Sequence, residues 1–422
     1  MRRPGGSVSS VMTQQRRARS RGGDEPSLPL QVPGFRFAGV PCGLKASGKP
    51  DVSVIVSDRP AVAVGAFTTN RVKAAPVVIG QRRLRRGKVQ AIVVNSGNAN
   101  AFTGVDGEAA ALATTHLVAT LLHISEELVV PSSTGRIGVR LPRAAVFRGV
   151  RQAIRELRPD GAHDALAGMM TTDAFPKYVV EKVLLDGREV TVAGLAKGAG
   201  MIAPNMATML AYILTDANVT RAALRHVLEL SLPESFNQIV VDGDMSTNDT
   251  VLLLANGLAA NRPVDLKTRW LGPFGDAVGR VMRSLARSIV KDGEGATKLI
   301  DIVIRGARSV RDAERVADTI ARSPLCKTAF FGGDPYAGRI VCAAGYSGAI
   351  FDPGKLDVLL GGVQVVRKGV EVVGRVERRA AKVVAAPEFD LTIDLHAGRH
   401  SARRLTTDLS VAYVKFNSDY RT

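Results

Sequence analysis

The segment Lys197-Gly198-Ala199-Gly200-Met201-Ile202-Ala203-Pro204-Asn205-Met206-Ala207-Thr208-Met209-Leu210 combines glycines, a proline and a central threonine with a following apolar run, Met209 to Leu214. That run has the character of a buried strand, so Thr208 falls at a loop-to-strand junction. A hydroxyl presented there is a candidate nucleophile, and the small Ala207 leaves the bond before it open to attack. A purely structural reading also fits these residue types, with glycine supplying unusual backbone angles and proline fixing a turn.

The histidines at 116, 123, 163, 226, 396 and 400 all lie outside the Gly-rich and acidic motifs. Three of them, His116, His123 and His226, fall in helix-like stretches, where a packed or solvated ring is the ordinary reading. There is no Ser-His-Asp arrangement and no metal-ligand pattern. Cys42, Cys326 and Cys342 are odd in number and widely separated. They form none of the close pairs that build zinc or redox sites, and a reducing interior suits them best.

The segment around Thr208 closely resembles the cleavage and catalytic motif of the glutamate N-acetyltransferase (ornithine acetyltransferase) family of arginine biosynthesis. Further motifs agree with that family in order. They are Gly34 to Val40, Phe67 to Pro76, Val94 to Ala101, Ser132-Ser133-Thr134-Gly135, Thr171-Thr172-Asp173, Asp242-Gly243-Asp244 with Ser246-Thr247-Asn248-Asp249, Asp292 to Lys298, and the terminal Asn417 to Thr422. Several multi-residue motifs in sequence are far more specific than one Gly-rich pattern.

The resemblance implies an α+β fold, a layered αββα sandwich, cut by autoproteolytic cleavage into two intertwined chains. The expected division is a basic extension over 1–25, an alpha chain over 26–207 and a beta chain over 208–422 that starts at the nucleophile. Scission at Ala207-Thr208 frees a threonine whose α-amine has a reference pKa of about 7.7 to 8.0, so it can take the proton from its own hydroxyl. Such a nucleophile needs no histidine base.

By the same resemblance, Thr134 and Gly135 form the oxyanion pair, and Thr171, Lys197, Thr208, Glu294, Asn417 and Thr422 contact substrate. Their chemistry suits an acylated diamino acid: Lys197 can neutralise a carboxylate, Glu294 can pair with the distal ammonium of ornithine, and hydroxyl and amide groups can orient the rest. The expected reaction moves acetyl from N-acetylornithine to glutamate through an acetyl-Thr208 intermediate. No cofactor and no metal is expected. The family contains both enzymes that also use acetyl-CoA as a donor and enzymes that do not, and this sequence leaves the choice open. The expected assembly is a heterotetramer of alpha and beta chains. An N-terminal-nucleophile amidase or aminopeptidase, transferring to water, is the alternative enzyme class.

Four positions depart from the family pattern: Arg136 replaces an apolar residue, Ala174 a threonine, Met245 interrupts the acidic-Ser/Thr motif, and Gly333 to Arg339 lacks an Asn-Trp pair. None removes the nucleophile or the alanine before it.

The formal charge of +18 raises the question of an anionic partner such as nucleic acid. Six arginines (Arg2, Arg3, Arg16, Arg17, Arg19 and Arg21) precede the first acid, Asp24, however, and aromatic residues make up only 5% of the chain. A solvated basic face and a basic extension explain this better than a stacking platform for bases. The Arg-rich start leaves a mitochondrial matrix location beside the expected cytoplasmic one.

With 422 residues, 45% of them apolar, the chain can bury a large core. Short β-like runs such as Val52 to Val56 and Ala91 to Val94 alternate with helical stretches such as Gly107 to Leu122 and Ala144 to Leu157. Asp186-Gly187-Arg188 between Tyr178 to Leu185 and Glu189 to Ala193 signals a hairpin leading into the Thr208 loop. Beyond it, a strand to Leu214, a helix over Arg221 to Leu230 and a long helix within Gly275 to Lys291 are expected.

Overall fold

The computed structural model describes residues 29–203 and 209–419. Among them are two mixed sheets with helices packed on both, as the α+β expectation requires.

The expected hairpin is present. Asp186 (φ 53°) and Gly187 (φ 73°) both take the left-handed conformation of a two-residue turn, and Leu185 pairs with Arg188 across it. Tyr178 to Leu185 starts one residue earlier, as Lys177–Leu185, and its partner runs on to Lys197. Strand Arg188–Lys197 then pairs antiparallel with Leu210–Thr215, with Lys197 opposite Leu210. The strands on either side of residues 204–208 are therefore neighbours in one sheet.

Leu210–Thr215 is buried along its whole length, and so is its parallel neighbour Thr250–Ala255. Central strands covered on both faces read as continuous apolar runs rather than alternating ones. Next to them lies Val52–Phe67, a 16-residue strand. The sequence reading stops at Val56 because Asp58-Arg59-Pro60 interrupts the apolar pattern. In the structure, a register shift between Val56 and Ala61 absorbs that exposed stretch and the strand resumes.

The first sheet then continues through Lys88–Asn98 to Val129–Arg136 at its edge, with Phe35–Val40 pairing separately on Val52–Phe67. Strands Leu210–Thr215 and Thr250–Ala255, which come after residue 208, lie between strands that precede residue 207. The two halves of the sequence are interleaved within one sheet.

One face of this sheet packs on the short helix Ala162–Met169, where Ala162, Ala165, Leu166 and Met169 meet Phe37, Ile55, Leu195 and Tyr212. The other face carries Arg221–Ser231 and Leu271–Lys291 at one end, and Gly104–Leu122 and Arg143–Arg155 at the other. Helix Leu271–Lys291 buries Phe274, Val278, Val281, Met282, Leu285 and Ile289 at helical spacing. It packs on strands Lys177–Leu185 and Arg188–Lys197 and also touches His400–Thr407 of the second sheet. The second sheet is centred on Leu299–Ala307 and Glu388–Asp394, and its core is closed by helices Val310–Arg322, Pro324–Gly332, Gly338–Gly345 and Arg375–Ala385. No helix among the described residues is long and apolar enough to cross a membrane.

Candidate active site

Of the site residues expected from sequence, Ala207, Thr208 and Thr422 lie outside the described residues. The other six, Thr134, Gly135, Thr171, Lys197, Glu294 and Asn417, all line one cavity of about 220 Å³. They come from five separate parts of the chain, and each is placed by identifiable contacts.

Thr134 and Gly135 end the edge strand Val129–Arg136, opposite Ser96 and Gly97 in parallel register. The side chain of Asn248 ties this strand end down by donating from Nδ2 to the carbonyls of Ser133 (2.8 Å) and Ala99 (2.7 Å). Gly135 has φ 127° and its Cα faces the Gly97 and Asn98 backbone too closely for a side chain. Arg136 is exposed and is not among the cavity-lining residues.

Lys197, the last residue of its strand, is only 3% exposed. Its Nζ donates to Thr134 Oγ1 at 3.1 Å. Burial pulls its ammonium below the usual lysine value, with the nearby Asp173 carboxylate opposing that effect.

Thr171 comes just after the helix Ala162–Met169, and its N–H donates to Asp173 Oδ2 at 2.9 Å. Asp173 is the hub of a fully buried cluster. Lys177 Nζ bonds Asp173 Oδ1 at 2.7 Å and Asp292 Oδ2 at 2.6 Å, with all three side chains at 0% exposure. Asp173 also accepts the Gly198 N–H at 2.7 Å, and Asp292 accepts that of Ala174 at 2.9 Å. The position where the family pattern has threonine thus contributes a backbone contact that alanine supplies equally well. Burial alone would raise the Asp173 carboxyl, but the Lys177 and Lys197 ammonium groups overturn that and hold it well below the usual carboxylate range.

Glu294 reaches the cavity from the turn after Leu271–Lys291. Its N–H donates to Ala199 O at 2.8 Å, and its carboxylate packs on Gly200, where any side chain would collide with it. Burial raises its carboxyl above the ordinary value; contacts with Thr172 and Asn417 work the other way. Asn417 Nδ2 donates to Glu294 Oε2 at 3.2 Å from the helix Val411–Asp419. The helix Val411–Asp419 therefore reaches the cavity through Asn417.

The residues on either side of 204–208 are tied to the acidic motif. Asp242 accepts the Met201 N–H (2.6 Å) and the Ile202 N–H (2.8 Å), while Asp249 Oδ1 accepts the Met209 N–H (3.2 Å). Asp249 is fully buried, and burial pushes its carboxyl well above the usual range. Met245 lies in the same loop, where its carbonyl accepts from Asn70 Nδ2 at 3.1 Å and its Sδ from Thr69 Oγ1 at 3.4 Å.

Several cavity residues carry no individual signal in the sequence: Thr172, Asp242, Asp244, Asn248 and Tyr413. The first four sit inside motifs that stand out only as units. Tyr413 has no signal at all, because nothing in its neighbourhood departs from an ordinary helix. None of the six histidines lines the cavity. Among the described residues there is no cluster of histidine, cysteine and acidic groups arranged to hold a metal.

A site built this way can hold a zwitterionic amino acid derivative between a buried lysine and a group of carboxyls, with backbone and hydroxyl donors at its edge. Comparison with known proteins agrees with that chemistry. The ArgJ family model matches residues 36–422. A relative from Symbiobacterium thermophilum, named arginine biosynthesis bifunctional protein ArgJ, is 47% identical over 92% of this chain and 97% of its own. Relatives of the same name from Geobacter sulfurreducens and Caldanaerobacter subterraneus subsp. tengcongensis are each 46% identical, covering 93% of this chain and 100% and 98% of theirs. With a match of that extent and its site residues gathered in one cavity, the chain belongs to the ArgJ family.

Proposed function

We propose that this protein is a glutamate N-acetyltransferase (ornithine acetyltransferase) of arginine biosynthesis, working through Thr208. The observation that carries the reading is the convergence of Thr134, Gly135, Thr171, Lys197, Glu294 and Asn417 on one cavity, beside the strand that opens two residues after Thr208.

The chemistry begins with self-processing. Thr208 Oγ attacks the Ala207 carbonyl carbon, the C–N bond breaks, and an ester links Ala207 to Oγ. Water hydrolyses that ester, leaving the Ala207 carboxylate and a free Thr208 α-amine. In turnover that amine takes the Oγ proton as Oγ attacks the acetyl carbonyl of N-acetylornithine. The Thr134 and Gly135 donors stabilise the oxyanion, a contribution of about 3 to 4 kcal/mol per donor in measured cases. The proton passes to the departing ornithine amine, and acetyl stays on Thr208. The glutamate amine then attacks this ester and the steps reverse.

Cleavage would give an alpha chain ending at Ala207 and a beta chain from Thr208 to Thr422. Interleaved strands would keep them together, and a heterotetramer is the assembly we favour. No cofactor is invoked, and acetyl-CoA stands as a second donor to be assayed. The relatives are bacterial and give no support to a mitochondrial location, so we assign the cytoplasm.

Intact mass and N-terminal sequencing of the purified protein test the reading. Two fragments, the second starting at Thr208, together with a single chain in Thr208→Ala, are the expected result. An intact wild-type chain would remove the mechanism.

A further inference from the structure

The cavity has to accept two side chains of opposite charge in turn, a requirement that rests on the acetyl transfer proposed above. Ornithine ends in an ammonium group and glutamate in a carboxylate. The described residues lining the cavity are charged very unevenly: Lys197 is their one cation, against the three carboxyls of Asp242, Asp244 and Glu294. Lys197 is suited to the α-carboxylate that both substrates share. What remains for the side chain is acidic.

That acidic side is built rather than incidental. Asp242 is anchored through the Met201 and Ile202 amides and the Asp244 N–H (3.2 Å). Glu294 is pinned between Gly200 and Asn417. Tyr413 stands over both from the C-terminal helix, its approach permitted by Gly295, whose φ of 68° and missing side chain leave room for the Tyr413 backbone. Asp244 is exposed at the same rim. None of the three carboxyls forms an ion pair with a described residue within 4 Å, although cations stand in the neighbourhood. Those cations are Lys197, Lys327, whose ammonium is itself drawn down by burial to about 7, and Arg322, which donates to Gly243 O at 3.3 Å instead.

We propose that Asp242, Asp244 and Glu294 form an acidic wall that selects the diamino acid by its distal ammonium, and that glutamate enters the same place only by bringing one proton onto that wall. Ionised carboxyls attract the ornithine side chain and repel the glutamate γ-carboxylate. One shared proton between a wall carboxyl and the γ-carboxylate converts that repulsion into a hydrogen bond, as in paired carboxyls elsewhere. Burial already raises both Asp242 and Glu294 above the ordinary carboxyl value, which lowers the cost of placing that proton on the wall. In consequence, rising pH strengthens ornithine binding and weakens glutamate binding.

Calorimetric titration of the mature wild-type enzyme with ornithine and with glutamate, each in two buffers of different protonation enthalpy, tests this. Neither ligand carries an acetyl group, so no turnover intrudes, and proton release from the common α-ammonium cancels in the difference. Glutamate should take up about one more proton than ornithine. Asp244→Asn, at an exposed position, should shift the affinity ratio toward glutamate by about fivefold, the scale of a solvent-accessible charge pair. Equal proton uptake by the two ligands, as neutralisation by Arg322 would give, overturns the proposal; so does an unchanged ratio in Asp244→Asn. An acetyl-transfer assay on the same preparation separates the cases, because absent transfer would remove the function itself, whereas transfer with equal proton uptake would remove only the wall.

Discussion

Asp242 and Asp249 hold opposite ends of one short segment: Asp242 accepts the Met201 and Ile202 amides on one side, and Asp249 accepts the Met209 amide on the other. Only 204–208 lies between them together with Ala203, and it contains the bond expected to break. Both aspartates come from one run, residues 242–249, so a single loop sets the position of both flanks.

Asp249→Ala should therefore slow self-cleavage, since it leaves the buried Met209 N–H without a partner at a cost of about 1 to 3 kcal/mol. Asp249→Asn should stay close to wild type. Burial pushes the Asp249 carboxyl well above the usual range, and the side-chain oxygen of asparagine can accept the same Met209 N–H. The time course of fragment appearance on a denaturing gel after synthesis distinguishes the two variants, and equal slowing would mean that the charge matters.

Lys177 is a stability determinant rather than a substrate ligand. Lys177→Met strands Asp173 and Asp292 as buried carboxyls without their shared cation, and a loss of about 3 to 5 kcal/mol is expected from urea unfolding at pH 7. The pH dependence comes from Asp173, whose folded value lies below its unfolded one. The stability it contributes is present above the ordinary carboxylate range and is lost as pH falls through the folded value, so wild type and variant should converge in strong acid.

Lys197→Met should cleave at Ala207-Thr208 but transfer acetyl poorly. Removing a buried partner of a substrate carboxylate costs about 2 to 5 kcal/mol, or roughly 30- to 5,000-fold in kcat/KM. Steady-state kinetics on the processed variant would show it, and a near-normal kcat/KM would take Lys197 out of the site.

Truncation after Phe416 removes Asn417 together with the last five residues of the sequence, 418–422. Helix Val411–Asp419 has no buried residue, so the melting temperature should hardly change, while kcat/KM falls because Glu294 loses the Asn417 contact. A thermal melt beside a transfer assay checks both halves, and a large fall in melting temperature with retained transfer would reverse the assignment.

What the sequence determined by itself is whatever is local or contiguous. The Asp186-Gly187 turn fixed a hairpin, because two residues with positive φ leave one tight connection. The Met209 to Leu214 run announced a central strand, and the motif around Thr208 supplied the proposed nucleophile in a single stretch. The long helix expected within Gly275 to Lys291 is present and starts earlier, at Leu271. Tertiary structure alone decided what depends on charge meeting charge across the chain. Lys177 looks like any strand lysine until Asp292 arrives from 115 positions away. Val52–Phe67 looks like two pieces because its exposed interruption is repaired only by partners on both sides. Tyr413 becomes a site residue only where Gly295 lets its backbone come close. Side-chain period reports which face a residue shows, but not which distant segment comes to cover it, and the acidic side of the cavity is assembled by that second kind of information.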